Sequence, residues 1–146
     1  MTRHPMSMAF LNETVHMSFY IHLLDQLDTE GRYTILNNMT NHLRYPVMNT
    51  FFFHLAICNI YANAPEKSRN EIREVIIRIL VERLIAHLPH PWGLSFTYKV
   101  IIDMALKDRQ ETGKFPPFME DKQVEDMVMT KYMQEIATIR QREEVA

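Results

Sequence analysis

The sequence predicts an all-α protein, and three observations carry that prediction. Only three glycines occur among 146 residues, so the glycine-bearing turns and short β-branched runs of a sheet protein are missing. Apolar residues, eleven methionines among them, fall in long segments with helical spacing. The gaps between those segments are about two to six residues, the length that joins consecutive antiparallel helices. With 47% hydrophobic and 23% charged residues the chain reads as globular, and it is long enough for one domain.

Each element follows from local pattern. Residues 8–27, MAFLNETVHMSFYIHLLDQL, set Phe10, Leu11, Val15, Tyr20, Leu23, Leu24 and Leu27 at helical spacing. Asp28 stands at an N-cap position before TEGRYTILNNMTNHLR, where Tyr33, Leu36, Met39 and Leu43 share a face. Pro46 ends that second helix because it drives Tyr45 out of the α region. A third helix, NTFFFHLAICNIYANA, is capped by Asn49 or Thr50 and stops before Pro65.

The fourth segment, residues 66–88, carries the strongest pattern. Ile72, Val75, Ile76, Ile77, Ile79, Leu80, Val81, Leu84, Ile85 and Leu88 cover well over half of the helix circumference, which predicts a helix packed on several sides. Glu71, Glu74, Arg78 and Glu82 fill the remaining strip, with Glu74–Arg78 and Arg78–Glu82 at i,i+4. Arg73 and Arg83 project from inside the apolar arc. They are expected to bond carbonyls or a carboxylate on a neighbouring helix or to snorkel to its edge, the alternative being a partner-binding arginine.

Pro89 ends the fourth helix, His90 then takes an N-cap position, and Pro91 starts the fifth, where its missing N–H costs nothing. Gly93 admits a close backbone and Trp92 can cover the corner. The fifth helix is expected over WGLSFTYKVIIDMALK, followed by a polar loop over 107–119 with a Phe-Pro-Pro-Phe plug. A last amphipathic helix over 120–140 places Val124, Met127, Val128, Tyr132, Ile136 and Ile139 on one face, and 141–146 is expected to fray.

Charge and chemistry exclude more than they offer. A formal net charge of −2 gives no overall electrostatic footprint for nucleic acid, although a local patch of Arg69, Arg73 and Lys99 is a possible exception. The single cysteine, Cys58, excludes an internal disulfide framework and fits a reducing compartment. No signal-peptide layout and no stretch near the ~20 apolar residues of a membrane span is present. The Asn12 and Asn38 glycosylation triplets are read as chance. His87 and His90 straddle Pro89 without a carboxylate or thiol, a poor metal pair. His54 and Cys58 at i,i+4 offer a base beside a thiol, but Cys58 sits among Ala56, Ile57 and Ile60, so a buried inert thiol is expected. The pattern of paired helices with a middle one covered on several sides describes a HEAT-like α-solenoid, usually a binding surface; a compact helical bundle is the alternative.

Two blocks are more specific. LDTEGRYTILNNMTNHLRYP (27–46) and IREVIIRILVERLIAHLPHPWGLSFTYKVI (72–101) closely resemble the extreme C-terminal domain of the large Not scaffold family, subunit one of the CCR–NOT mRNA deadenylase complex. The likeness covers about residues 15–106 and fades after Leu106, where KDRQETG looks inserted. The resemblance implies a HEAT-type helical-repeat fragment over 8–106, the last repeats of a longer domain, catalysing nothing and needing no cofactor. It implies docking of the smaller subunits Not-two and Not-three in the service of mRNA deadenylation, decay and translational repression, with peptides of RNA-binding repressors as further partners. The cytoplasm is the expected location, the nucleus a second one, with no membrane and no direct nucleic acid. Arg44, Tyr45, His90 and Trp92, which flank the corners, are the expected protein-binding residues. A solenoid cut between repeats exposes an apolar face, so Phe10, Phe19 and Leu23 on the first helix are expected to be exposed.

Overall fold

A computed structural model describes residues 15–43, 48–86 and 92–145. Among them are six α-helices, one 3-10 turn and no strand: α1 (Val15–Gln26), α2 (Thr29–Asn41), α3 (Met48–Asn63), α4 (Arg69–Ala86), α5 (Trp92–Thr112), the turn Pro117–Glu120, and α6 (Lys122–Val145). The all-α expectation holds.

Local chemistry sets most of the boundaries. Asp28 caps α2 as expected, with extended backbone and a side chain that accepts from the Gly31 N–H at 2.8 Å. A Cβ on residue 31 would stand 3.2 Å from both that carboxylate and the Leu27 side chain, so glycine keeps the turn between α1 and α2 tight. The other end of α2 closes through the His42 N–H on the Met39 carbonyl at 3.1 Å. At the start of α4, Ser68 accepts the Ile72 N–H on its carbonyl, while its hydroxyl donates to Asp25 at 2.6 Å. The start of α4 is thus tied to the end of α1.

Two boundaries differ from the sequence expectation. The segment read as a loop from residue 107 stays helical to Thr112. Polar residues such as Arg109, Gln110 and Glu111 are good helix formers, and nothing interrupts the backbone until Gly113, which turns it at a φ of 81° while its N–H returns to the Arg109 carbonyl at 2.7 Å. Likewise the helix of the C-terminal end continues through the expected frayed tail to Val145.

The helices share one core, and α1 meets α3, α2 meets α4, and α3 meets α5 across one intervening helix, besides the sequential pairs α2–α3, α3–α4, α4–α5 and α5–α6. In this arrangement α4 is covered by α2, α3 and α5, as its broad apolar arc predicted. Ile72, Val75, Ile76, Ile77, Ile79, Leu80, Val81 and Leu84 are all buried. Ile85 departs from that arc, being 58% exposed. Fully buried side chains of this size each contribute roughly 1.5–3 kcal/mol, which makes α4 the spine of the core.

The C-terminal helix is fixed through side chains of α5. Tyr98 is fully buried and donates to the Val128 carbonyl at 2.8 Å, and Tyr132 donates to Asp103. Of the face expected on α6, Val128, Tyr132 and Ile139 are buried and Val124 and Ile136 half-buried, but Met127 is 46% exposed. The plug before it is half-formed, with Pro116 and Met119 buried and Phe115 and Phe118 half-buried.

Candidate functional site

The pair of groups that sequence spacing offered for chemistry is enclosed. His54 and Cys58 on α3 are both buried, and the thiol sulfur lies 3.9 Å from His54 Nδ1. That same Nδ1 stands 2.8 Å from the Thr97 hydroxyl oxygen, whose own proton goes to the Gly93 carbonyl at 2.6 Å. With the threonine proton committed, Nδ1 must carry a hydrogen and donate it to Thr97. A donor nitrogen cannot take the cysteine proton. Burial holds the His54 pKa down at about 4 and pushes the Cys58 thiol up to about 12, so neither a charged imidazole nor a thiolate forms near neutrality. No group of three or more His, Cys, Asp or Glu placed to hold a metal occurs among the described residues.

The arginines inside the apolar arc are structural. Arg73 donates to the Tyr61 carbonyl at 2.9 Å and to Asp108 at 3.1 Å, and its guanidinium rests 4.6 Å above the Tyr61 ring. Arg83 donates to the Asn37 carbonyl at 3.3 Å and its side-chain oxygen at 2.7 Å. Both bond neighbouring helices, as the sequence predicted. Sequence reasoning missed Arg32, which is buried and donates to the Leu24 carbonyl at 2.7 Å, to the Asp25 carbonyl at 3.2 Å and to Glu71. Glu135 was missed too. Its carboxylate is buried on α6, and it adds to the burial that pushes the Tyr98 phenol well above its ordinary value.

Of the residues expected at the corners, Arg44, Tyr45 and His90 lie outside the described residues. Trp92 is described, 47% exposed and stacked on Phe96 with ring centroids 4.8 Å apart. The basic trio is not brought together as one free patch, because Lys99 is bound to Asp103 at 2.7 Å and Arg73 to Asp108. On the first helix Phe19 is 60% exposed and Leu23 half-buried while Leu24 is fully buried. Phe10 lies outside the described residues.

A strongly apolar concavity among the described residues is one the sequence did not predict. Between α4, the 3-10 turn and α6 runs a groove of about 350 Å³. Ile77, Val81 and Ile85 form one wall, and Phe118, Val124 and Met127 the other. Two of the most exposed large apolar side chains, Ile85 and Met127, therefore face one depression. Its edge is acidic in balance. Glu74 and Glu82 stand beside a single cation, Arg78, which lies 3.9 Å from Glu82. A long apolar floor with a charged edge is suited to receiving the apolar face of another segment, not to activating a bond.

The family model described as "CCR4-Not complex component, Not1" matches residues 2–130, further than the likeness read from the two sequence blocks. Over 100 residues the chain is 40% identical to "CCR4-NOT transcription complex subunit let-711" of Caenorhabditis elegans, covering 68% of this chain and 4% of the relative. It is 25% identical over 96 residues to "General negative regulator of transcription subunit 1" of Saccharomyces cerevisiae, covering 65% and 5%. The protein of the same description in Schizosaccharomyces pombe is 34% identical over 80 residues, covering 51% and 4%. The chain thus spans only 4–5% of the length of these relatives.

Proposed function

The chain belongs to the Not1 component family of the CCR4-Not complex, and from that premise we propose that it is a non-catalytic scaffold segment that docks the smaller subunits Not-two and Not-three. Through that docking it serves mRNA deadenylation, decay and translational repression. The observation that carries the docking role is the groove in which Ile85 and Met127 stay exposed together. Its occupant is an amphipathic segment of a Not subunit, with apolar anchors at helical spacing and a Lys or Arg placed against Glu74. The groove's acidic edge supports that basic flank, since a charge of matching sign would be repelled. Contacts that skip one helix support a HEAT-like stacking of helix pairs, whose faces serve as binding surfaces.

The test replaces Ile85 and Met127 with Glu, both exposed enough to leave the fold intact, and measures capture of Not-two and Not-three. Interface anchors carry roughly 1–2 kcal/mol or more, so capture should weaken at least about tenfold. Met133→Glu is the control, because Met133 is equally exposed but does not line the groove. Undiminished capture by the double variant would remove the groove from the docking surface. Direct RNA contact is the weaker reading, because Lys99 and Arg73 are already held by carboxylates, which leaves Arg69 alone of that trio.

A further inference from the structure

A second concavity differs in kind. Where the first turns of α4 meet the end of α5 and the segment after it, a cleft of about 290 Å³ is lined by Arg69, Arg73 and Lys114. Asp108 is the one carboxylate lining it, so the cleft carries three positive charges against one negative, a balance of +2 in a chain of net −2. Asp108 is moreover occupied by Arg73, whose guanidinium is fixed in place by the Tyr61 carbonyl and ring. Arg69 is anchored through Nε on the Ala64 carbonyl at 3.1 Å, which leaves its terminal nitrogens to face the cleft's contents. Neither Arg69 nor Lys114 meets a carboxylate among the described residues. The cleft also takes in Asn70, in the first turn of the 18-residue helix α4, where backbone N–H groups lack intrahelical acceptors.

A concave site with one anchored guanidinium and one ammonium that meet no carboxylate among the described residues, beside the start of a helix, suits an oxyanion such as phosphate. Its remaining wall is Phe115, Pro116 and Pro117, an apolar surface against which a peptide backbone can lie. We infer that this cleft receives a phosphorylated serine or threonine of a docking partner, with the phosphate held by Arg69 and Lys114 beside the Arg73–Asp108 pair. This rests on the reading of the chain as a docking scaffold. One observation favours a phosphorylated side chain over RNA. A nucleic-acid strand needs a track of cations, whereas the cleft offers two that meet no carboxylate among the described residues, and Lys99 is spent on Asp103.

The test titrates the full 146-residue chain with an alanine pentapeptide bearing a central phosphoserine, its unphosphorylated twin and a decamer of uridylate, followed by ¹H–¹⁵N spectra. The phosphopeptide should shift the amides of Arg69 to Arg73 and of Lys114, and the twin should bind at least about tenfold more weakly. Lys114→Ala, an exposed position, should weaken phosphopeptide binding without lowering the melting temperature, and Arg69→Ala should abolish it. Equal binding of the twin, shifts confined to other residues, or tighter binding of the uridylate would each overturn the inference. The readout uses neither Not-two nor Not-three. A failed titration with intact capture of those subunits therefore strikes the cleft alone, and lost capture by the groove variant with intact phosphopeptide binding strikes only the groove.

Discussion

Arg32 is a buried side chain whose removal should cost the fold through lost hydrogen bonds. It is only 5% exposed, and two of its nitrogens donate to the Leu24 and Asp25 carbonyls. Those carbonyls belong to the last turn of α1, where no further turn supplies N–H partners. Its third bond runs to Glu71, whose side chain is 63% exposed. The two kinds of contact differ in worth. A hydrogen bond with a charged partner contributes roughly 1.5–3 kcal/mol when buried, and an ion pair with an exposed partner about 0–1 kcal/mol. Arg32→Ala should therefore destabilise by about 3 kcal/mol or more, and Glu71→Gln by less than about 1 kcal/mol. For a chain near this size 1 kcal/mol moves the melting temperature by about 2–4 °C, so Arg32→Ala should lower it by roughly 6–12 °C. Arg32→Lys should recover less than half, because an ammonium cannot span both carbonyls and the carboxylate as a planar fork does. Thermal unfolding followed by circular dichroism decides the matter, at low and at high salt. The Arg32→Ala deficit should persist at about 1 M salt, where exposed ion pairs are screened within ~3 Å. Glu71→Gln costing as much as Arg32→Ala, or a deficit that vanishes in salt, would refute the assignment of the stability to the helix-end carbonyls.

Three further outcomes follow from the buried polar groups. Cys58, with its thiol pushed up to about 12 by burial, should resist iodoacetamide at pH 8 in the native chain and react quickly once the chain is unfolded, as read by intact mass; rapid native labelling would contradict its enclosure. His54 has a folded pKa of about 4 against an ordinary 6.5, so between those values the unfolded chain binds the extra proton. Stability should then fall as pH drops through that window, by up to about 1.4 kcal/mol per pH unit, and His54→Asn should flatten that part of a urea-denaturation profile. Tyr98→Phe removes the bond to the Val128 carbonyl and should cost about 1–1.5 kcal/mol in the same denaturation assay, with protection from hydrogen exchange lost first in α6.

Periodicity made the interior of this fold legible, and what it left out has a common cause. The arc on α4, the Asp28 cap and the partners of Arg73 and Arg83 are all consequences of residues within one helix and the general cost of burying a charge. The exposure of Ile85 and Met127 is of another kind. Both lie on apolar arcs and were expected to be covered, but whether a face is covered depends on the neighbour, which no local pattern specifies. The groove between them brings in Phe118, from a segment whose prolines read only as a plug. Arg32 escaped notice because a charged residue on a polar helix is ordinarily solvated. The signal was present in Asp28 and Gly31 beside it, which predict a turn tight enough to bring the end of α1 within its reach. In α5 the polar composition of residues 108–112 was mistaken for a loop, although only Gly113 carries a conformation that stops a helix.

The distribution of polar chemistry explains why a binding role fits this fold better than a catalytic one. Several buried donors close the structure: Thr97 on Gly93, His54 on Thr97, Tyr98 on Val128, Arg32 on the end of α1. The Tyr61 and Ser95 hydroxyls are buried with no hydrogen-bond partner among the described residues, and neither lines the groove or the cleft. The accessible concavities instead share one wall, because Arg69 and Arg73 face the cationic cleft and Ile77, Val81 and Ile85 face the apolar groove, all on α4. That helix is held by α2, α3 and α5, so both surfaces are set before any partner arrives and little ordering is needed on the scaffold's side. A partner segment long enough to engage both would gain by effective concentration from sites that are each weak alone. Rigidity of α4, more than any single contact, is then what the packed interior supplies to function.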